Sequence, residues 1–311
     1  MGNEFAHRSV LLEPAVEALL VDQSGCYLDC TFGRGGHSRM ILDRLGQEGR
    51  LFGLDRDPAA VVAGDELARQ DPRFLMVRQS FANLGAMAAN HQLTGRVSGI
   101  LLDLGVSSPQ LDDASRGFSF QQDGPLDMRM DPDTGQSAAQ WLNTARESEI
   151  ASVLKEYGEE RFARRIARAL VAARAEEPIT RTGRLAEIVK LANPAWERDK
   201  HPATRAFQGI RIFINQELEA LRQALNDALQ VLCIGGRLVV ISFHSLEDKI
   251  VKKFISLQTK GDSFPRDLPV MHSQLHPTLR TIGKPVRPSE QEIASNPRSR
   301  SAIMRVAERI A

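Results

Sequence analysis

The chain has 311 residues, of which 42% are hydrophobic and 25% charged, and its net charge is +1. This composition is typical of a soluble globular enzyme and not of a membrane or disordered protein, and the length suits a core domain that carries a sizeable insertion. The small net charge neither indicates nor excludes a nucleic-acid partner, because a basic face can be offset by an acidic one.

The amino terminus and the cysteines indicate the compartment. The opening residues, MGNEFAHRSV, lack a basic segment followed by an apolar core, so no secretory signal is expected. The three cysteines, Cys26, Cys30 and Cys233, are odd in number and show no CxxC spacing. We therefore expect free thiols, no metal site and a location in the reducing cytoplasm.

Helix and strand patterns alternate over the first hundred residues. In chain order the segments read helix, strand, helix, strand, helix, strand, helix, strand: SVLLEPAVEALL, CYLDCTF, HSRMILDRL, RLFGLDRD, PAAVVAGDELARQ, RFLMVRQS, FANLGAMAANHQL and VSGILLDLGV. The last is almost wholly apolar, as expected of a strand buried on both faces of a parallel sheet. The alternation predicts a doubly wound α/β fold with right-handed crossovers.

An insertion interrupts the alternation. The next strand, GRLVVISFHS, follows roughly 130 residues later, whereas a crossover needs only about a dozen or a few more. We expect a core domain over 1–134 and 206–311 and an inserted helical domain over 135–205. In SLEDKIVKKF, Ser245 with Asp248 three residues on predicts a capped helix, and SAIMRVAER predicts an edge strand.

A glycine-rich turn after the first strand indicates a ligand site. The letters GRGGHS place Ser38 where a dinucleotide-binding motif has its third glycine. Asp55, about twenty residues on, stands where a carboxylate binds ribose hydroxyls, which both NAD and S-adenosylmethionine present. Asp29 and Asp103 also end predicted strands. These carboxylates favour a cationic methionine-containing cofactor over a pyrophosphate.

The exit of the fourth strand, DLGVSSPQL, suggests a site for an amine. Methyltransferases that act on amino groups place an acidic or amide residue, small residues and proline there to hold the target base. Taken alone the pattern is short, and Asp103 could instead be a turn-forming or helix-capping residue.

Several longer motifs together resemble one family. They are DCTFGRGGHS, LDRDP, ILLDLGVSSPQLDDASRGFSF, GPLDMRM, YGEERFARRIA, HPATRAFQ, GGRL and SFHSLEDKIVK. From His7 to the segment NPRSRSAIMRVAER the chain resembles the bacterial RsmH (MraW) family. The resemblance implies a Rossmann-like class I methyltransferase fold and transfer of a methyl group from S-adenosylmethionine to N4 of a cytidine in the decoding centre of 16S ribosomal RNA.

The resemblance also implies the site residues and partners. Cofactor-binding residues would be Gly35, Gly36 and His37 at the methionine portion, Asp55 at the ribose, Phe81 near the adenine, and Asp103 and Gln110 closing the pocket. From residue type alone, Phe81 could be a core residue, His37 an exposed cap and Gln110 a plain loop residue. The partner would be small-subunit ribosomal RNA, within an assembled or nearly assembled subunit. A homodimer is possible and no membrane contact is expected.

The catalytic hypothesis concerns activation of the amine. The lone pair of a cytosine amine is delocalised into the ring, so an acceptor that holds an N–H should help. We expect Asp103 to lie between cofactor and amine, and Ser107, Ser108 and Pro109 to shape the base slot. His244 follows the fifth strand and could assist proton removal, contact RNA or be structural.

RNA binding is expected from a loop and two arginine groups. The loop 107–133 is a candidate lid, and its Phe118 and Phe120 are candidate stacking partners or buried anchors. Arginines that could bind phosphate, or form an internally paired solvated face, recur on a helix and near the carboxyl terminus: Arg161, Arg164, Arg165, Arg168, Arg298, Arg300, Arg305 and Arg309. Rival readings are a nicotinamide-dependent dehydrogenase, a non-catalytic RNA-binding factor and a DNA amino-methyltransferase.

Overall fold

The computed structural model describes residues 9–195, 201–262 and 275–311. His7, where the family resemblance begins, lies outside these ranges. The chain divides into two compact units. Met1–Gly105 with Leu218–Ala311 forms the sheet unit, and Val106–Glu217 forms the helical unit.

The first half of the sheet unit alternates helix and strand as predicted. Its elements are α1 (Leu12–Leu19), β1 (Cys26–Asp29), α2 (Gly36–Arg44), β2 (Arg50–Asp55), α3 (Pro58–Gln70), β3 (Phe74–Arg78), α4 (Leu84–Asn90) and β4 (Val97–Asp103). The helix α3 begins at a proline, where a missing N–H is harmless, and the Asp57 carboxylate accepts a hydrogen bond from Ala59 N at 3.0 Å. Every residue of β4 before Asp103 is buried, as its apolar sequence predicts.

The helical unit is larger than the expected insertion. It contains α5 (Ser108–Asp112), α6 (Ala138–Thr144), α7 (Glu147–Glu156), α8 (Ala163–Glu176), α9 (Thr182–Ala192) and α10 (Thr204–Asn215). The expected bounds, 135 and 205, both lie inside it. The reason is packing: Phe118, Leu126 and Met128 from the loop before α6 are buried in the same apolar core as α6 to α9.

The chain then returns to the sheet through α11 (Glu217–Val231), β5 (Leu232–Ser242), α12 (Ser245–Lys260), β6 (Leu279–Thr281), α13 (Glu290–Ser295) and β7 (Ile303–Arg309). The seven strands lie in the order β3-β2-β1-β4-β5-β7-β6. Strands β1 to β5 are parallel, and β7 runs antiparallel to both β5 and β6. The doubly wound α/β fold is confirmed. The final apolar run forms β7 and pairs with β5, but β6 covers its other side, so β7 is not the edge strand that the sequence predicted.

The strand order places a crevice beside β1. From β1 the chain moves outward to β2 and β3, and then crosses to β4 and β5 on the other side. The connections after β1 and β4 therefore diverge, and such a switch point is where open α/β sheets bind ligands. Alternate side chains supply the core on each face: Tyr27 and Leu101 pack into one apolar cluster, and Leu28 and Ile100 into the other.

In the described part of the chain, no helix is both long and apolar enough to cross a bilayer. All three cysteines are free thiols. The described residues contain no group of three or more His, Cys, Asp or Glu side chains arranged to hold a metal ion.

Candidate active site

Carboxylates line one edge of the sheet. Asp29 ends β1, Asp55 ends β2 and Asp103 ends β4, while Glu247 lies in the first turn of α12, directly after β5. Because these four strands are parallel neighbours, their carboxyl ends meet at the same edge. We call this edge the acidic rim and define it by these four residues.

The glycine turn beside the rim needs its glycines for two different reasons. Gly33 and Gly35 have φ of 56° and 76°, in the left-handed region that side chains rarely adopt. Gly36 has an ordinary φ but a close neighbour, since a Cβ there would lie 2.1 Å from Ser9 Oγ. A side chain at Gly33 or Gly35 would strain the backbone of the turn, and a side chain at Gly36 would require Ser9 to move.

Asp55 organises the turn and keeps capacity for a ligand. Its Oδ2 accepts a hydrogen bond from Gly33 N and its Oδ1 accepts one from Asp57 N, both at 2.9 Å. Burial raises the pKa of this carboxyl above its usual range. The backbone N–H of Arg56 also donates to this carboxylate, and the acceptor capacity that remains on its two oxygens is available to a ribose hydroxyl.

Asp29 is an internal member of the rim. It is only 1% exposed, and it accepts hydrogen bonds from Ser38 Oγ at 2.7 Å and from Thr31 N at 3.2 Å. Burial raises its pKa to about 6, although both hydrogen bonds favour the charged form. Ser38, which departs from the dinucleotide motif, thus holds this carboxylate in place.

His37 is buried beside Asp103 and is not an exposed cap residue. Its Nε2 lies 3.2 Å from the carbonyl oxygen of Val10, and its Nδ1 lies 3.7 Å from Asp103 Oδ2. Burial lowers the pKa of His37 to about 4, so the ring is neutral at pH 7. Facing a carbonyl, a neutral ring must carry its proton on Nε2, which leaves the Nδ1 lone pair directed at the carboxyl group.

One side-chain oxygen of Asp103 accepts no hydrogen bond. Its backbone N–H donates to Thr31 Oγ1 at 2.7 Å, which fixes the end of β4. Its Oδ1 is buried and has no hydrogen-bond partner among the described residues. Burial raises the pKa of Asp103 well above its usual range, and the nearby carboxylates of Asp29 and Glu247 raise it further. A donor or a cation bound here would relieve both effects.

Phe81 and the segment after β4 occupy two different settings. Phe81 begins a short 3-10 helix after β3 and is half-buried against an apolar core cluster of the sheet unit. Ser107 and Gln110 belong to the helical unit, where Ser107 caps α5 and Gln110 Oε1 accepts a hydrogen bond from Ser107 N at 2.9 Å. Ser108 and Pro109 form the first turn of the same helix. The roles expected for these five residues stay predictions.

The capping signal at α12 is corrected by the structure. Glu247, and not Asp248, reaches back to the amino terminus, where its Oε2 accepts hydrogen bonds from Phe243 N at 2.8 Å and His244 N at 3.3 Å. Asp248 instead binds Arg305 through both oxygens, at 2.7 and 3.0 Å. Sequence reasoning missed Glu247 as a rim residue, although SFHSLED directly after a strand was the available signal.

His244 lies beside Glu247 in an incomplete contact. Its side chain is 10% exposed, and Nε2 lies 3.1 Å from Glu247 Oε1. The two groups are poorly aligned, and neither ring nitrogen has a hydrogen-bond partner among the described residues.

The candidate RNA-binding residues differ in whether they already form contacts within the protein. Phe118 is buried in the helical core, and Phe120 packs on His201 and Phe207 with ring centroids 4.5 and 4.9 Å apart. Both therefore serve as anchors within the helical unit. Arg305 is committed to Asp248, and Arg309 donates to the carbonyl of Leu232.

The arginines of α8 are more exposed to solvent. Arg164 and Arg165 are exposed, and Arg168 Nε lies 3.8 Å from Glu147 Oε1 with both side chains largely in solvent. Glu160 is buried and accepts a hydrogen bond from Phe162 N at 2.9 Å, so it caps the chain locally.

The rim suits a cation better than a pyrophosphate. Within the described ranges, neither lysine nor arginine forms an ion pair with Asp29, Asp55 or Asp103. These carboxylates repel a pyrophosphate at the same edge, whereas they attract a sulfonium or ammonium group. The structure therefore does not support the dehydrogenase reading.

Comparison with known proteins gives one decisive match. Solved structures that resemble the chain include a candidate rRNA methylase from Clostridium thermocellum (10% identity, TM-score 0.45, covering 98% of this chain and 97% of that chain) and an rRNA methylase from Streptococcus thermophilus (10%, 0.42, 96% and 92%). At these TM-scores the likeness carries no argument. A profile of the MraW methylase family, however, matches residues 4–310 and bears out S-adenosylmethionine as the cofactor. The chain is therefore a member of the MraW methylase family.

Proposed function

We propose that the protein transfers the methyl group of S-adenosylmethionine to N4 of a cytidine in the decoding centre of 16S ribosomal RNA. Family membership gives the methylase activity, and the motif resemblance supports the base and the RNA. The observation that carries the proposal is Asp103, a half-buried carboxyl group at the end of a switch-point strand, whose buried Oδ1 has no hydrogen-bond partner among the described residues.

The residues present fit the cofactor. S-adenosylmethionine supplies an electrophilic methyl group on a cationic sulfur and carries an ammonium group as well. Gly35 and Gly36 lie at the start of α2, where backbone N–H groups can meet a ligand, and Phe32 and Ser9 pack closely against them. Asp55 retains acceptor capacity for a ribose hydroxyl, and Phe81, half-buried at the end of the neighbouring strand, is available to the adenine.

Asp103 is the proposed acceptor for the target amine. An N–H held by Oδ1 draws the amine nitrogen away from conjugation with the ring and makes its lone pair available. His37 and Thr31 restrict the position of Asp103 from two sides. Methyl transfer by in-line displacement depends mainly on such alignment, which can contribute about 7–11 kcal/mol in favourable cases.

Substrate recognition is proposed to involve the helical unit. Ser107, Ser108 and Pro109 would shape the slot for the base, and Gln110, the remaining predicted cofactor residue, holds Ser107 in its capping position. The target base must leave its stack to reach a pocket. The exposed arginines of α8 are proposed to bind phosphates of small-subunit RNA, within an assembled or nearly assembled subunit. The free cysteines agree with the reducing cytoplasm as the proposed location.

The proposal is tested by nucleoside analysis of 16S RNA. Small subunits from cells that lack this protein are incubated with the purified chain and labelled S-adenosylmethionine, and we expect N4-methylated cytidine at a decoding-centre position. Naked 16S RNA and duplex DNA serve as alternative acceptors, and methylation of DNA alone would favour the DNA amino-methyltransferase reading. Binding of S-adenosylhomocysteine without methylation of any RNA would contradict the proposal and favour a non-catalytic RNA-binding factor.

A further inference from the structure

Buried polar atoms without partners are few, and they are concentrated at the rim. Buried side-chain nitrogens and oxygens are almost always hydrogen-bonded in native proteins. Among the described residues four such atoms lack a hydrogen bond: Asp103 Oδ1, Arg237 Nε, His244 Nδ1 and His244 Nε2. Arg237 Nε lies 2.9 Å from Glu308 Oε2 and is electrostatically compensated. The other three atoms belong to two residues at the ends of neighbouring strands.

The two residues belong to one cluster. In the parallel pairing of β4 with β5, Asp103 lies opposite Ile241, and His244 follows three residues later, past the same end of the sheet. Glu247 connects them: its Oε1 lies 3.1 Å from His244 Nε2, and it is close enough to Asp103 to raise the pKa of that carboxyl group. The buried side-chain atoms without hydrogen bonds on these two residues, both near the Glu247 carboxylate, indicate a missing ligand with hydrogen-bond donors.

An exocyclic amine has the required chemistry. It carries two N–H donors directed roughly 120° apart, so two separate acceptors satisfy it better than one. A neutral imidazole offers one acceptor nitrogen, and Asp103 Oδ1 offers another. A ring hydroxyl or a phosphate would satisfy one of the two residues at most.

We propose that His244 is a catalytic residue of this methyl-acceptor site: its imidazole accepts one N–H of the target amine while Asp103 accepts the other, and it receives the proton that the amine loses. This inference rests on the proposed amine methylation. Glu247 is a positioning residue, because it fixes the backbone N–H groups of Phe243 and His244 and lies beside the ring.

The step balances without another reactant. The amine lone pair forms the N–C bond, and the S–C bond breaks with its electron pair left on sulfur. The nitrogen then carries one proton too many, and that proton moves to the imidazole while the N–H electron pair stays on nitrogen. The products are the methylated amine, a neutral thioether and an imidazolium.

Several acidic groups lie around the ring. Titratable groups near the ring come from several elements: Glu247 from α12 lies in direct contact, Asp103 follows β4, and Asp29 of β1 and His37 of α2 lie behind Asp103. His37 stays neutral at pH 7, so the net charge of this group of residues is negative. The positive charge that leaves the sulfonium is thus retained in the site on a neighbouring ring.

The proposal is tested by single-turnover methylation of small subunits with saturating S-adenosylmethionine. We expect His244→Ala to lower the rate by about 10²–10⁴-fold, the usual contribution of a general base, and to leave affinity for S-adenosylhomocysteine within about two-fold. Added imidazole should restore part of the rate. His276→Ala, which removes an exposed histidine of the sheet unit, is the matched control and should leave the rate unchanged.

Each outcome separates this inference from the proposed function. If the unaltered protein methylates RNA and His244→Ala does so equally fast, the inference is wrong and the function stands. A rate that falls in proportion to affinity for S-adenosylhomocysteine, or a rate that imidazole does not restore, assigns His244 a structural role instead. If His244→Ala melts early, His244→Asn keeps a polar side chain and the same assays apply. Failure of the unaltered protein to methylate RNA would overturn the function itself.

Discussion

The rim carboxylates make binding of the cofactor sensitive to pH. Burial first, and then Asp29 and Glu247, raise the pKa of Asp103 in the free protein. A bound cation favours the ionised carboxylate and lowers that pKa, so binding must release protons. Below its raised pKa Asp103 is protonated and attracts a sulfonium poorly, and affinity therefore increases as pH rises through that pKa.

The first prediction compares S-adenosylmethionine with S-adenosylhomocysteine, which lacks the sulfonium charge. The ratio of their affinities should rise as the pH increases through the raised pKa of Asp103, above the usual range of an aspartate, by up to roughly 10-fold for each unit by which the sulfonium lowers that pKa. Calorimetry in buffers of different ionisation enthalpy measures the released protons. Asp103→Asn should flatten the pH dependence, and an unchanged ratio in the unaltered protein would refute the argument.

The second prediction concerns the stability cost of Asp29. Its pKa is raised from 3.8 to about 6 in the folded protein, so its contribution to stability is present below pH 4 and is lost as pH rises through about 6. Two pKa units correspond to about 3 kcal/mol. Asp29→Asn, which can keep contacts to Ser38 and Thr31, should raise the free energy of unfolding by about 1–3 kcal/mol at pH 8 and by little at pH 4.

Urea unfolding at both pH values measures this difference. Asp65→Asn, at an exposed position on α3, is the control and should change neither value. Equal effects of Asp29→Asn at both pH values would show that the change acts through packing and not through ionisation.

At the level of single residues, the sequence predicted positions better than contacts. Asp29, Asp55 and Asp103 could be placed because strand ends are visible in the apolar pattern. The bond from Ser38 to Asp29 and the approach of Ser9 to Gly36 depend on how α2 lies against β1 and the preceding segment, which no local pattern records. Glu247 was missed because two acidic residues in one helical turn offer equal capping signals.

At the level of elements, one side chain anchors the loop before α6. Asn215, at the end of α10, accepts a hydrogen bond from Met130 N at 2.8 Å and donates one to Met128 O at 2.7 Å. Met128 lies between these contacts with φ of 63°, a conformation that is unfavourable for a residue with a side chain. The loop is therefore held by a non-local contact and not by its own turn preferences.

The third prediction is that Asn215→Ala destabilises the helical unit by about 2–4 kcal/mol, since it removes two hydrogen bonds to the backbone of the loop. Hydrogen exchange should increase first around Met128 and Met130. Asn90→Ala, at the exposed end of α4, is the control. Unchanged exchange in the loop would show that its apolar side chains suffice to hold it.

The same contacts explain why the expected bounds of the insertion differ from those observed. The segment 107–133 looks like a loop because it is rich in Gly, Asp and Ser. Its apolar residues follow no helical or strand period, so their burial in the helical core could not be predicted. The helix α3, which follows a helical period, and the strand β4, which is an unbroken apolar run, were in contrast placed closely.

At the level of the whole molecule, a net charge of +1 conceals an uneven distribution. On α8 the apolar residues face the helical core, and Arg164, Arg165 and Arg168 stand on the exposed side. Arg168 has a weak contact with Glu147, which solvent and salt screen. The phosphates of an RNA strand are closely spaced, so neighbouring arginines can bind them together. This binding releases the counterions that were associated with the phosphates.

The fourth prediction follows from counterion release. Replacing Arg164 and Arg165 by Gln should weaken binding of small-subunit RNA and reduce the slope of log affinity against log salt by about 0.7–0.9 for each phosphate that is no longer neutralised. Affinity for S-adenosylhomocysteine should not change, because α8 carries none of the proposed cofactor-binding residues. Filter binding over a range of salt concentrations measures both the affinity and the slope.

A matched removal of charge decides whether the effect is local. Arg69 and Arg222 are exposed on the sheet unit, and each pairs with a glutamate three residues earlier. Replacing these two by Gln removes the same net charge, so a general electrostatic attraction would weaken to the same extent in both double variants. The slope of log affinity against log salt depends only on arginines that displace counterions from the RNA. If α8 contacts phosphate, this slope should therefore fall in the Arg164 and Arg165 variant and stay unchanged in the Arg69 and Arg222 variant. An equal slope in all three proteins would make the exposed side of α8 a solvated surface and would favour a contact between RNA and the exposed arginines of the carboxyl-terminal segment, Arg298 and Arg300.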